Sequence, residues 1–152
     1  MTTPIVRTCI TAADRAEAMR IRFAVFVEEQ RVPPELETDA YDVMAVHLLA
    51  VEEETGEPIG TARIADMGGG IAKIGRVAVL TGYRGQGVGE ALMREALNRA
   101  RRTGHTVALL DAQIPVLGFY ERLGFVAEGP VFDDAGIPHR RMTLRLDSSN
   151  AA

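Results

Sequence analysis

At 152 residues the chain has the length of one domain, and its apolar and charged shares, 47% and 25%, argue against disorder. A net charge of −4 and a pI near 5.4 argue against nucleic-acid binding, which draws on a basic stripe. A lone cysteine, Cys9, excludes an internal disulfide and fits a reducing cytoplasm, and no apolar run reaches the length of a membrane span.

Residues 1–10 lack the basic and apolar regions of a signal peptide, so a cytoplasmic location is expected. With no repeat or linker, residues 1–152 are read as one domain, with 147–152 as a flexible tail. Residues 5–10 read as a strand. Thr11 and Asp14 have capping-box spacing, and Ala12, Ala16, Met19, Phe23 and Phe26 recur on one face of a following helix. Pro33-Pro34 ends that region and opens a segment rich in Glu35, Glu37, Asp39 and Asp42. With Glu28 and Glu29 just before it, this run is either a solvated loop or an attractor for a cationic ligand.

Residues 45–51 and 59–65 read as strands joined by a turn at Thr55-Gly56, and three glycines, 68–70, turn into a third strand over 72–80. The next helix carries Leu92, Met93, Ala96, Leu97 and Ala100 toward the core and stops at Gly104. A short strand over 107–111, a short helix opened by Pro115, a strand starting at Phe125, a turn at 134–136 and a last strand over 140–146 complete the chain. The order is β-α-β-β-β-α-β-α-β-β, an α/β fold with helices flanking a mixed sheet.

The strongest chemical signal is Arg84-Gly85-Gln86-Gly87-Val88-Gly89, set between a strand and a helix. Helix N-termini carry unpaired N–H groups and partial positive charge, and glycines let an anion approach the main chain. A P-loop is excluded, because the only lysine, Lys73, is followed by Ile74. The dinucleotide fingerprint is excluded as well, because Gly85, Gly87 and Gly89 are spaced by two.

In this context, Arg84-x-x-Gly87-x-Gly89 after a strand resembles the acyl-CoA pyrophosphate motif of the Gcn5-related N-acetyltransferases (GNAT). Phe119-Tyr120 followed by Gly124-Phe125 resembles that family's second signature. Val25-Phe26-Val27-Glu28-Glu29-Gln30 and Gly136-Ile137-Pro138-His139 are similar to the ElaA/YjcF-like bacterial branch. The likeness covers nearly the whole chain. It implies a single GNAT domain with a mixed, mostly antiparallel sheet, and transfer of an acetyl group from acetyl-CoA to a primary amine by direct attack.

By the same likeness, the amides of Gln86, Gly87, Val88 and Gly89, with Arg84 and Gly85, hold the pyrophosphate. Val77 and Val79 border the pantetheine, and the Val77 amide polarises the thioester carbonyl. Gln113, where relatives carry asparagine, and Phe119 belong to the cofactor site. Tyr120 protonates, or hydrogen-bonds, the leaving thiolate. From ordinary pKa values, full transfer from phenol to thiolate runs uphill by about 2 kcal/mol. Glu28 and Glu29 are candidate bases because the first helix borders the acceptor site in the family.

His139, heading the last strand, is a third candidate base, set against the commoner structural role of a lone histidine. His47 reads as a core group and His105 as exposed. No spacing suggests a metal site. The expected acceptor is a small molecule or lysine-type amine, with neither nucleic acid nor membrane as partner; a homodimer is expected from relatives alone. Two other functions compete: a non-catalytic acyl-CoA sensor, and an acyltransferase like the acyl-homoserine-lactone synthases, which Arg22-Phe23-Ala24-Val25-Phe26 faintly resembles.

Overall fold

The alternating and continuous apolar runs become seven strands of one sheet in the computed structural model, which describes residues 3–146. The expected tail at 147–152 lies outside the described residues. Strands β1 (Pro4–Thr8), β2 (Val46–Glu52), β3 (Pro58–Asp66), β4 (Ile71–Val79), β5 (Val107–Gln113), β6 (Val126–Asp134) and β7 (Ile137–Arg145) take the order β1-β2-β3-β4-β5-β7-β6. All neighbours are antiparallel except β4 and β5. β2 and β3 lie mid-sheet with helices on both faces, which is why they read as continuous apolar runs.

Helix α3 (Val88–Arg102) covers one face with Val88, Leu92, Met93, Ala96, Leu97 and Ala100, the stripe expected from its periodicity. Each large apolar side chain buried there is worth roughly 1.5–3 kcal/mol. Its entry against the sheet depends on Gly60, where an added Cβ would lie 3.0 Å from Val88 Cγ1 and 3.1 Å from Leu92 Cδ1. Gly104, at φ +83°, closes the helix: its N–H bonds to Arg101 O and the His105 N–H to Ala100 O. Helix α4 (Leu117–Arg122) adds Tyr120 to this same core.

The opposite face carries α1 (Ala12–Arg22), capped by Thr11, whose side chain accepts from the Asp14 N–H. The expected apolar face is corrected here. Ala12 and Ala16 are exposed, and the buried stripe is Ala18, Ile21, Arg22 and Val25. The apolar residues offered two adjacent stripes, and Arg22, charged but 1% exposed, concealed the one that packs. α1 also runs on without a break into a π-helical segment, Phe23–Glu29, where the Gln30 N–H reaches back to Val25 O.

Pro34 then opens a four-residue helix, α2 (Pro34–Glu37), where the sequence suggested only loop. The last strand begins at Ile137, so His139 lies within it rather than heading it. His105 is half-buried, not exposed, because its ring bonds to Thr103 Oγ1 and Asp66.

Candidate active site

β4 and β5 pair over only Ile71–Val107, Ala72–Ala108 and Lys73–Leu109. Beyond that point both strands continue, but no ladder joins them. The cause lies in β4. Ala72 and Ile74 face α3, and so do Val77 and Val79, which a regular strand cannot arrange because the facing parity has changed. One extra residue sits between them: Arg76, at φ +51°, opposite the register slip between Thr61 and Arg63 of β3.

A left-handed non-glycine residue costs on the order of 1–2 kcal/mol, so something must hold Arg76 there. Its guanidinium donates to the Glu37 carbonyl at 3.0 and 3.1 Å and forms an ion pair with the Glu37 carboxylate at 3.1 Å. The bulge opens a cleft of about 810 Å³ between the edges of β4 and β5.

One end of the cleft is the glycine loop. Gly85 and Gly87 take φ +75° and +84°, and an added Cβ at either would meet nothing within 4 Å. Glycine is therefore needed there for backbone conformation, and the space beside it is open. Gly87 is the N-cap of α3 and offers no side-chain acceptor to the first-turn amides. At Gly89 the reason is packing, with Phe119 Cζ 3.4 Å from the added Cβ.

Arg84 donates to Val79 O at 2.9 Å and grips both oxygens of Glu29 at 2.6 and 2.7 Å. Gln86 folds back, its amide donating to Gly82 O. Val77, Val79, Arg84, Gly85, Gly87, Val88, Gly89, Gln113, Phe119, Tyr120 and His139 all line the cleft; Gln86, Glu28 and Glu29 do not. Gln113 is engaged by the first helix, donating to Gln30 Oε1 at 2.8 Å.

Tyr120 is 9% exposed and packs edge-on against Phe119 and Phe125. Its hydroxyl has no hydrogen-bond partner among the described residues. Among the described residues, Arg101 Nε is the only buried side-chain N or O without one, so the Tyr120 oxygen opens onto the cleft. Burial pushes its pKa up to about 12.

The candidate bases on the first helix fare differently from this. Glu29 is tied to Arg84, which holds its carboxyl below the usual carboxylate range, the opposite of what a base for an amine requires. Glu28 is exposed and outside the cleft. Cys9 is buried, and burial pushes its thiol up to about 11, so it is inert as a nucleophile.

The acidic run is largely neutralised from within. Arg22 donates to Glu37 (2.9 Å) and Asp42 (2.7 Å), Arg63 to Asp39 (2.7 Å) and Asp42 (2.9 Å), and Arg76 to Glu37 and Asp39. Burial pushes Asp42 up, but bonds from Arg22, the Asp39 amide and Arg63 outweigh it and hold the carboxyl well below its usual range. A second cluster was also missed: Asp111, which lines the cleft with Lys73, bridges Lys73 (3.2 Å) and Arg141 (3.0 Å). The parity change from Ala72 and Ile74 to Val77 and Val79 was the readable sign of the bulge; no local pattern marks the ion pairs.

A family model described as an acetyltransferase (GNAT) domain matches residues 12–146. YjcF of Bacillus subtilis (strain 168), named an uncharacterized N-acetyltransferase, is 35% identical over 127 residues, 83% of this chain and 89% of its own. An acyl-CoA N-acyltransferase from Pseudomonas aeruginosa superposes with a TM-score of 0.81 at 32% identity, over 94% of this chain and 99% of that one. Escherichia coli ElaA gives 0.80 at 27% identity, with the same coverage. A bulge-split sheet, a glycine-led helix and a cleft between them accompany the sequence signatures in this chain, and the chain belongs to the GNAT family of acetyltransferases, on its ElaA/YjcF-like branch.

Proposed function

We propose that the chain transfers an acetyl group from acetyl-CoA to a primary amine by direct attack in a ternary complex, in the cytoplasm. The observation that carries this reading is the opening between β4 and β5, with unladdered backbone along its edges and an uncapped helix N-terminus at one end. Amides of the loop from Gln86 to Gly89 would take the pyrophosphate, each charge-assisted bond contributing about 1.5–3 kcal/mol. Pantetheine would lie along Val77 and Val79. The Val77 N–H, next to the bulge, would stabilise the developing oxyanion, a role worth about 2.7–4 kcal/mol elsewhere.

The thiolate leaves on the side where Tyr120 stands. With its pKa near 12, transfer of the phenol proton to a thiolate of ordinary pKa runs uphill by roughly 5 kcal/mol. A hydrogen bond to sulfur therefore suits Tyr120 better than complete protonation.

The test is calorimetric titration of acetyl-CoA and CoA into the wild type and Gly87→Glu, with thermal melts to confirm folding. The added carboxylate sits at the anion end of the cleft, so micromolar binding by the wild type is expected, with loss in the variant. No binding by the wild type would sink the proposal. Binding without turnover on any amine would favour the non-catalytic sensor instead.

A further inference from the structure

The cleft passes through the sheet, and its two sides are chemically unlike. Ala108, Leu110 and Ala112 of β5 point into the core under α3, where Tyr120 also lies. Asp111 and Gln113 therefore face the other way. The register Gln113–His139 and Asp111–Arg141 puts His139 and Arg141 on that second face, the side of Gln30 and the first helix.

His139 is 8% exposed and stacks on Phe132, its partner across β6 and β7, with ring centroids 5.9 Å apart. Its Nδ1 lies 2.7 Å from the Ile137 carbonyl oxygen. A carbonyl only accepts, so Nδ1 carries the hydrogen, which in the neutral ring leaves the lone pair on Nε2. Nε2 has no partner among the described residues and is not among the fully buried atoms without one, so it opens onto the cleft that His139 lines. The other histidines differ: His47 Nε2 bonds to Asp42 O at 2.9 Å, and both nitrogens of His105 are engaged.

We infer that His139 Nε2 takes the proton of the incoming ammonium on the face of the sheet opposite Tyr120. This rests on the acetyl-transfer reading above. The ammonium gives one proton to Nε2, which passes it to solvent. The neutral amine attacks, a C–N bond forms and the C–S bond breaks. The second proton lost from nitrogen ends on the thiol. The charged groups facing His139 are Asp111 and Arg141, paired with each other, Asp134 at the end of β6, and Lys73 beyond Asp111. Asp134 lines the cleft as well.

The experiment compares the wild type with His139→Gln and His139→Ala, using acetyl-CoA with propylamine, an ammonium at neutral pH, and methoxyamine, already a free base there. For propylamine at pH 7, kcat/KM should fall by about 10²–10⁴-fold, with the rate partly recovering as pH rises. For methoxyamine the loss should stay within about tenfold, and acetyl-CoA affinity should not change. Equal losses for both amines, or none, would overturn the assignment.

Nitrogen-detected NMR of the imidazoles, with the Gln variant identifying the His139 signals, supplies a second reading that needs no turnover. The expected form is the Nδ1–H tautomer with Nε2 unprotonated; the Nε2–H tautomer would overturn the assignment by itself. Failure of the wild type to bind acetyl-CoA would instead sink the underlying reading while leaving the tautomer result intact.

Discussion

Residues 82–89 and residues 34–42 border the same cleft and keep their shapes by opposite means. The first stretch is shaped at its helix start by backbone: glycines at φ +75° and +84°, no side-chain cap, and open space where a Cβ would be. The second is held by side chains, with Glu37, Asp39 and Asp42 bonded to Arg22, Arg63 and Arg76. A helix start whose first-turn amides have no side-chain cap can receive a ligand; a segment whose charges answer each other positions its neighbours instead. The neighbour here is Arg76, whose left-handed backbone opens the cleft.

The side-chain network depends most on Arg22. Arg22→Met would leave Glu37, 2% exposed, short of its main partner, and removing one member of a buried pair costs about 3–5 kcal/mol. Urea denaturation should show a loss in that range; a loss under about 1 kcal/mol would mean the cluster does not hold the segment.

The same network weakens in acid. Asp39 and Asp42 are held below the usual range, because arginine bonds outweigh the effect of burial. Their unfolded forms bind protons first. Their stabilisation is therefore full above the ordinary aspartate pKa, about 3.9, and is lost as pH falls through it toward the lower folded values. Glu37 runs the other way: burial raises its carboxyl and the arginines only partly offset this, so its contribution is lost as pH rises through its folded value. Asp42 is the most strongly shifted of the three, so the sum is a net loss in acid. Asp42→Asn should cost about 1.5–3 kcal/mol at pH 7 and flatten the decline below pH ~4; an unchanged decline would place the acid sensitivity elsewhere.

What could be read beforehand follows the same division. The glycine loop, the α3 stripe and the chain order of strands were legible because each is a local pattern: Gly-x-Gly-x-Gly, a 3.6 period, alternation. The pairing of Arg22 with Glu37 and Asp42 joins residues 15 and 20 apart through the fold, and no short window contains it. The acidic run accordingly read as either a solvated loop or a cation attractor, and buried Arg22 hid the packed face of α1. Among the candidate bases, sequence distance from the family motifs said nothing of Glu29's bond to Arg84 or of the lone pair on His139.

Tyr120→Phe tests the open side. The hydroxyl has no partner among the described residues, so its removal should move stability by less than about 0.5 kcal/mol. If it meets the leaving sulfur, kcat should fall by about tenfold to a hundredfold, the range of one hydrogen bond to a charged group. A drop in stability with kcat intact would make Tyr120 a packing residue.

The smallest expected effect lies where the two regimes meet. Glu29 and Arg84 form a close bidentate pair, yet both side chains are 40% exposed, and exposed pairs are worth about 0.2–1 kcal/mol. Glu29→Gln should therefore cost less than about 1 kcal/mol of stability. Its functional effect should appear in KM for acetyl-CoA, by a few-fold at most, since about 1 kcal/mol is roughly fivefold in affinity, because Arg84 would lose its anchor beside the glycine loop. The pH profile of kcat should stay in place. A base, by contrast, would cost about 10²–10⁴-fold in kcat and shift that profile. Finding such a loss would show that Arg84 releases Glu29 when the cofactor binds, turning a pair that looks saturated in the free protein into a working carboxylate.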